Sequence, residues 1–148
     1  MALFEQRNHE GKTALYIAVE SKNSEFVTFL MENYPKLNMS AKDTFEGNTP
    51  MHITVKNGDL ELTKLLFNFN PELCMVPNFK GQTPFNEAVN MKDFDLLKNV
   101  FADFKQKALQ MRDRLGENVL FECARREGYE DIYNWFMGTN DFYKARGT

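Results

Sequence analysis

The sequence predicts an all-α repeat solenoid, and three observations carry that prediction. Four glycines, Gly11, Gly47, Gly81 and Gly116, recur at spacings of 36, 34 and 35 residues. Each opens a similar stretch: GKTALYIA, GNTPMHIT, GQTPFNEA and GENVLFEC. Each stretch is followed by a second run with helical periodicity: NSEFVTFLM, GDLELTKLLF, DFDLLKNVF and GYEDIYNWF. Self-similarity at one fixed period is the mark of stacked units that cannot bury their apolar faces alone.

Within each unit the order is a tight turn, a short first helix, a second turn, a longer second helix and a connector. The first helix starts where a residue able to cap it stands. The Thr49 hydroxyl can accept from a free first-turn amide, and Pro50 sits where its missing N–H costs nothing. Thr83-Pro84 repeats the arrangement. Ala18, Ala88 and Cys123, with Thr54 in the second unit, are small enough for close helix packing. The second helices are expected to supply most of the core: Phe26, Val27, Phe29 and Leu30, then Leu60, Leu62, Leu65 and Leu66, then Phe94, Leu96, Leu97, Val100 and Phe101, then Ile132, Tyr133, Trp135 and Phe136.

These residues resemble the ankyrin repeat, whose period is near 33 residues and whose signature is T-P-L-H-x-A. The second unit matches best, with Thr49-Pro50-Met51-His52, Gly58-Asp59 and Leu65-Leu66. The third keeps Thr83-Pro84-Phe85 and Ala88, and the first keeps Thr13, Leu15 and Ala18. The fourth departs most, with Asn118-Val119-Leu120 at its start and one residue inserted near Glu127. The resemblance covers roughly residues 8–137. It implies helix-turn-helix pairs joined by β-hairpin-like finger loops in a single domain over 1–148. The repeats fall at about 8–43, 44–77, 78–112 and 113–137, and 138–148 forms a tail or the start of a further repeat.

Composition narrows the function. The chain has 148 residues, 18 basic and 21 acidic side chains, and a net charge of −3. Neither half is basic, so no stripe invites nucleic acid. No apolar run approaches the roughly 18 residues of a membrane span, and MALFEQRNHEGK is too polar for a signal peptide. Cys74 and Cys123 form no CxxC and read as reduced thiols in an intracellular protein, cytoplasmic with the nucleus as the alternative. There is no phosphate loop, dinucleotide motif or nucleophile elbow. DTFEGN lacks the ligand spacing of a calcium loop. His9 has no His or Cys partner at ligand spacing. The acidic residues Asp93/Asp95 and Glu130/Asp131 open second helices, where the helix dipole favours them. The expectation is therefore no enzyme, no cofactor and no metal.

His52 stands where the ankyrin family commonly has His, which by resemblance braces the turns. Tyr16, Asn86 and Phe121 hold the equivalent places. The family implies a binding function through finger loops and the exposed side of the first helices. On this chain that surface holds Phe45, Glu46, Phe79, Lys80, Arg114 and Leu115 at the fingers. Lys56, Asn90, Met91, Arg125 and Arg126 stand at the first-helix exits. Phe45, Phe79 and Leu115 fall at successive finger tips, as interface anchors do; packing on the neighbouring finger is the alternative. Arg114, Arg125 and Arg126 cluster in the last unit and suggest a protein partner with an acidic, apolar strip. A regulatory segment of a larger protein, binding intramolecularly, is the second expectation. Neither end looks like a polar cap, so a piece of a longer repeat protein, or ends covered by a partner or by end-to-end self-association, is also expected.

Overall fold

The computed structural model describes residues 3–138. Its first helices are α1 (Ala14–Glu20), α3 (Pro50–Lys56), α5 (Pro84–Asn90) and α8 (Val119–Arg125). Its second helices are α2 (Ser24–Asn33), α4 (Leu60–Phe69), α6 (Phe94–Asn99) and α9 (Glu130–Met137). An additional helix, α7 (Lys105–Gln110), lies in the third connector. No strand forms among the described residues, and the fingers are hairpin-shaped turns. Each first helix packs on its own second helix, and α1, α3, α5 and α8 stack side by side in that order.

The helix starts follow local chemistry. Thr13 and Thr83 accept from the backbone N–H groups of Tyr16 and Asn86, at 3.2 and 3.1 Å. At Thr49 the hydroxyl turns instead to His52 Nδ1, 2.9 Å away. The second helices begin at Asn23, Asp59 and Asp93, whose side chains accept from Phe26, Leu62 and Leu96. Their own N–H groups donate back to Ala18, Thr54 and Ala88. This ties each turn to the small, buried residue of the preceding helix.

The fourth turn breaks this pattern. The first three turns leave the helix through αR residues, Ser21, Asn57 and Met91, and then a left-handed residue, Lys22, Gly58 or Lys92. In the fourth, Arg126 is extended and Gly128 is the left-handed residue, so the turn is one residue longer. Tyr129 then starts α9 without a side-chain cap.

The core differs from the predicted stripes at three residues, Phe26 and Phe29 of α2 and Tyr133 of α9, which is exposed on the side of the last repeat that no described repeat covers. Val27 and Leu30 are buried, but Phe26 and Phe29 of α2 are exposed and pack on each other at 5.8 Å, with Tyr34 beyond. A helix in a stack buries the faces that its neighbours cover, and no earlier repeat lies against this one among the described residues. The third connector carries α7 because Lys105–Gln110 consists of good helix formers, whereas in the second connector Pro71 opens only a short 3-10 turn, Pro71–Met75. Toward the last repeat the core becomes a continuous run of rings. Phe67 meets Phe101 at 5.6 Å, Phe101 meets Phe85 at 5.9 Å, and Phe85 meets Phe136 and Trp135 at 5.9 and 6.4 Å.

The fingers are joined backbone to backbone. Thr44 N–H donates to Glu10 O, Phe79 N–H to Glu46 O and Arg114 N–H to Lys80 O. Each crossing passes beside the preceding finger's glycine. A Cβ on Gly81, at φ +82°, would stand 2.9 Å from Asp113 Cα, whereas one on Gly116, at φ +80°, would meet nothing within 4 Å. Gly116→Ala is therefore expected to cost only the left-handed backbone penalty, about 1 kcal/mol. Gly81→Ala adds a backbone collision and should cost about 2–3 kcal/mol. Equal costs in urea denaturation would show that the crossing contact is not what fixes Gly81.

Candidate protein-binding face

The base of every finger is pinned by one acceptor side chain. Asn8 Oδ1 accepts from the N–H groups of Glu10 and Lys12, and Asn78 Oδ1 from those of Lys80 and Gln82. Asp43 Oδ1 accepts from Phe45, Glu46 and Gly47, and Asp113 Oδ1 from Leu115 and Glu117. These four residues recur every 35 residues. The glycine spacing is less regular because the second finger holds one residue more between its anchor and its glycine. This row was legible in the sequence as an Asn/Asp three or four places before each glycine, and reading from the glycines missed it.

Two first-helix side chains brace the fingers beyond them. The Tyr16 hydroxyl donates to Asp43 Oδ2 at 2.5 Å. His52 is fully buried. Its Nδ1 accepts from Thr49 N–H at 3.0 Å, so the proton sits on Nε2, which donates to Gln82 O at 2.8 Å. Burial pushes the His52 imidazole down from its ordinary value to about 4. In the equivalent places Asn86 Oδ1 accepts from Thr83 only, and Phe121 is exposed. Burial likewise pushes the thiols of Cys74 and Cys123 up, to about 12 and about 11. Both are poor nucleophiles at neutral pH.

On the finger side of the stack lies an open groove of about 470 Å³. It brings together Glu46, Lys56, Lys80, Asn90, Arg114, Leu115, Arg125 and Arg126 of the residues singled out in the sequence. Phe45, Phe79 and Met91 are exposed but do not line it. Phe79 lies across the preceding finger: a Cβ on Gly47 would stand 2.4 Å from its ring. It therefore has a packing duty that Phe45 and Leu115, 74% and 77% exposed, do not share.

The groove's charges are partly spent within the chain. Lys56 pairs with Glu46 at 3.4 Å. Arg125 pairs with Glu117 and Glu122. Arg126 reaches Asn90 O and the Tyr129 hydroxyl, both at 3.2 Å, and Glu122 at 3.6 Å. These bonds fasten the lengthened fourth turn to the end of α5. The side chains of Lys80 and Arg114, both exposed, form no ion pair among the described residues. The groove also contains Glu87 and Glu122, which the sequence reading passed over. Glu87 stands three residues before Asn90, on the same face of α5, which is the signal that would have found it. Its carboxyl is raised above the ordinary range by burial, against the pull of Lys56.

The second repeat carries the family's pattern most fully, and a profile described as "Ankyrin repeat" matches residues 46–75. The solved ankyrin repeat domain of Bcl-3 superposes with a TM-score of 0.69 at 22% identity, over 81% of this chain and 50% of that one. The chain is an ankyrin-repeat protein. Relatives include the probable 26S proteasome regulatory subunit p28 of Saccharomyces cerevisiae. That protein is 29% identical over 125 residues, which is 83% of this chain and 54% of p28. An ankyrin repeat-containing protein of Arabidopsis thaliana is 36% identical over 73 residues, 48% of this chain and 13% of its own length. Rabankyrin-5 of Mus musculus is 27% identical over 128 residues, 86% of this chain and 11% of its own. The ankyrin chain described here thus spans at most about half the length of these relatives. Ankyrin repeats are generally protein–protein interaction modules and typically not catalytic. No described helix of this ankyrin chain is long and apolar enough to cross a membrane.

Proposed function

We propose that this chain is a non-enzymatic interaction module, an adaptor or scaffold, that holds a protein partner inside the cell along its fingers and first-helix exits. The observation that carries the reading is the groove, where residues from the second, third and fourth repeats converge on one polar hollow. Phe45 and Leu115 stand at the finger tips as exposed apolar anchors. Of the cations lining the groove, Lys80 and Arg114 form no ion pair among the described residues, and they favour a partner carrying carboxylates beside an apolar strip. Arg125 and Arg126 contribute less, because each would have to give up bonds within the fourth repeat.

A second reading is that the same face works inside a longer protein, as a regulatory segment bound intramolecularly. The share of its relatives' length that the chain spans favours this. The likeness to a proteasome regulatory subunit supports a role within an intracellular assembly.

The test is quantitative affinity capture from source-cell extract with the wild type, Lys80→Glu/Arg114→Glu, and a control substitution outside the groove, Lys36→Glu. A partner reduced at least tenfold by the groove variant and kept by the control is the expected result. A partner captured equally by all three would remove the groove from the function.

A further inference from the structure

The groove is neutral in sum but not in arrangement. Five acidic and five basic side chains line it. Most are bonded within the chain: Lys56 to Glu46, Arg125 to Glu117 and Glu122, Arg126 to Glu122, and Asp113 to its own finger. Among the described residues this leaves two cations on the fingers, Lys80 and Arg114, and one anion on α5, Glu87. The Glu87 carboxylate is half-buried and forms no ion pair or hydrogen bond among the described residues. One turn further along α5, Asn90 Oδ1 is buried and has no donor either. Two acceptors without donors on one side of a helix make a spot of negative potential, and partial burial makes it costly to leave unpaired. Burial raises the Glu87 carboxyl for the same reason.

Glu87 also belongs to a row. It stands four residues after its cap, Thr83, as Ile17, Ile53 and Glu122 stand four after Thr13, Thr49 and Asn118. Because α1, α3, α5 and α8 lie side by side, the row crosses the first helices as isoleucine, isoleucine, glutamate, glutamate. Ile17 and Ile53 are partly exposed, and Glu122 is taken by Arg125 and Arg126. The row therefore turns from apolar to acidic between α3 and α5. Packed helices lie about 8–10 Å apart, a distance that three residues of an extended segment cover at about 3.3 Å each.

We propose that a protein partner seats a lysine or arginine side chain on Glu87, with an apolar residue three places away on Ile53. This rests on the groove being the binding face. Lys80 and Arg114 take the partner's carboxylates, so the recognised strip carries both signs of charge. Arginine suits the site best, because its guanidinium offers five N–H donors in a fixed plane.

The experiment is selection of random twelve-residue peptides displayed on phage against the immobilised full chain. Fluorescence anisotropy then compares the enriched peptides on the wild type, Glu87→Gln and Lys80→Glu/Arg114→Glu. The Glu87 side chain bonds to nothing described, so Glu87→Gln should keep the native circular dichroism. The expected peptides carry arginine or lysine three places from an aliphatic or aromatic residue and bind Glu87→Gln about tenfold more weakly. Peptides without a basic residue would overturn the Glu87 site. So would basic peptides that Glu87→Gln binds as the wild type does while Lys80→Glu/Arg114→Glu binds them weakly, an outcome that keeps the groove as the binding face. Peptides bound equally by all three proteins would overturn both readings, and a selection that enriches nothing would overturn the Glu87 site.

Discussion

Phe85→Ala should cost about 4 kcal/mol and loosen the fourth repeat before the rest of the chain. The ring is fully buried and stands at the junction of three others, Phe101, Phe136 and Trp135, all within 6.4 Å. Truncating a buried Phe removes its burial energy and leaves a cavity, which together typically cost about 3–5 kcal/mol. The surroundings decide where that loss is felt. Phe85 packs on Trp135 and Phe136 of α9, and the fourth repeat has the uncapped second helix and the lengthened turn. In a repeat stack, stability is carried by nearest-neighbour interfaces, so a lost junction releases the end before the middle. Trp135 is the chain's one tryptophan and lies in that end. Its fluorescence in urea should therefore change at lower denaturant than the far-ultraviolet circular dichroism. Coincident transitions in the variant, with a loss under 1 kcal/mol, would show that the ring run does not join the last repeat to the others.

Acidification should destabilise the wild type through His52, between about pH 6.5 and about pH 4. The folded imidazole is held down to about 4 while the unfolded one titrates near 6.5, so only the unfolded chain takes up a proton in that window. Stability from this residue is complete above about 6.5, falls as the pH drops, and has lost roughly 3 kcal/mol by about pH 4. His52→Asn tests the cause. An asparagine can cap Thr49 as Asn86 caps Thr83, but it does not reach Gln82 O, so a loss of about 1–2 kcal/mol at neutral pH is expected. In exchange, the slope between pH 6.5 and 4 should flatten. A slope unchanged by the substitution would assign the acid sensitivity to other groups.

The repeat number, the order of helices and the first-helix caps were legible because they rest on local chemistry: Thr-Pro at a helix start and a small residue where helices touch. What was not legible depends on neighbours. Phe26 and Phe29 read as core because Leu62 and Leu65 occupy the same places, and periodicity cannot say whether a repeat has another beside it. Helix α7 went unread because the search for a repeat favours what recurs, and Lys105–Gln110 occurs once. Eight of the residues singled out in the sequence line one groove, and Phe45, Phe79 and Met91 do not. The pairings within the groove were not legible, because contacts such as Arg125 with Glu117 and Arg126 with Asn90 depend on how the fourth turn is lengthened.

The crossings between fingers have an evolutionary consequence. Successive fingers are fastened by main-chain N–H and carbonyl groups, from Thr44 to Glu10, Phe79 to Glu46 and Arg114 to Lys80, and these groups are the same whatever amino acid stands there. A tip such as Phe45 or Leu115, which supports nothing beneath it, can drift to charge, amide or hydroxyl without disturbing the spacing of the ridge. Phe79, laid over Gly47, cannot drift so freely. Duplicated copies of this chain could thus diverge at Phe45 and Leu115 while selection holds the anchor row at Asn8, Asp43, Asn78 and Asp113 fixed.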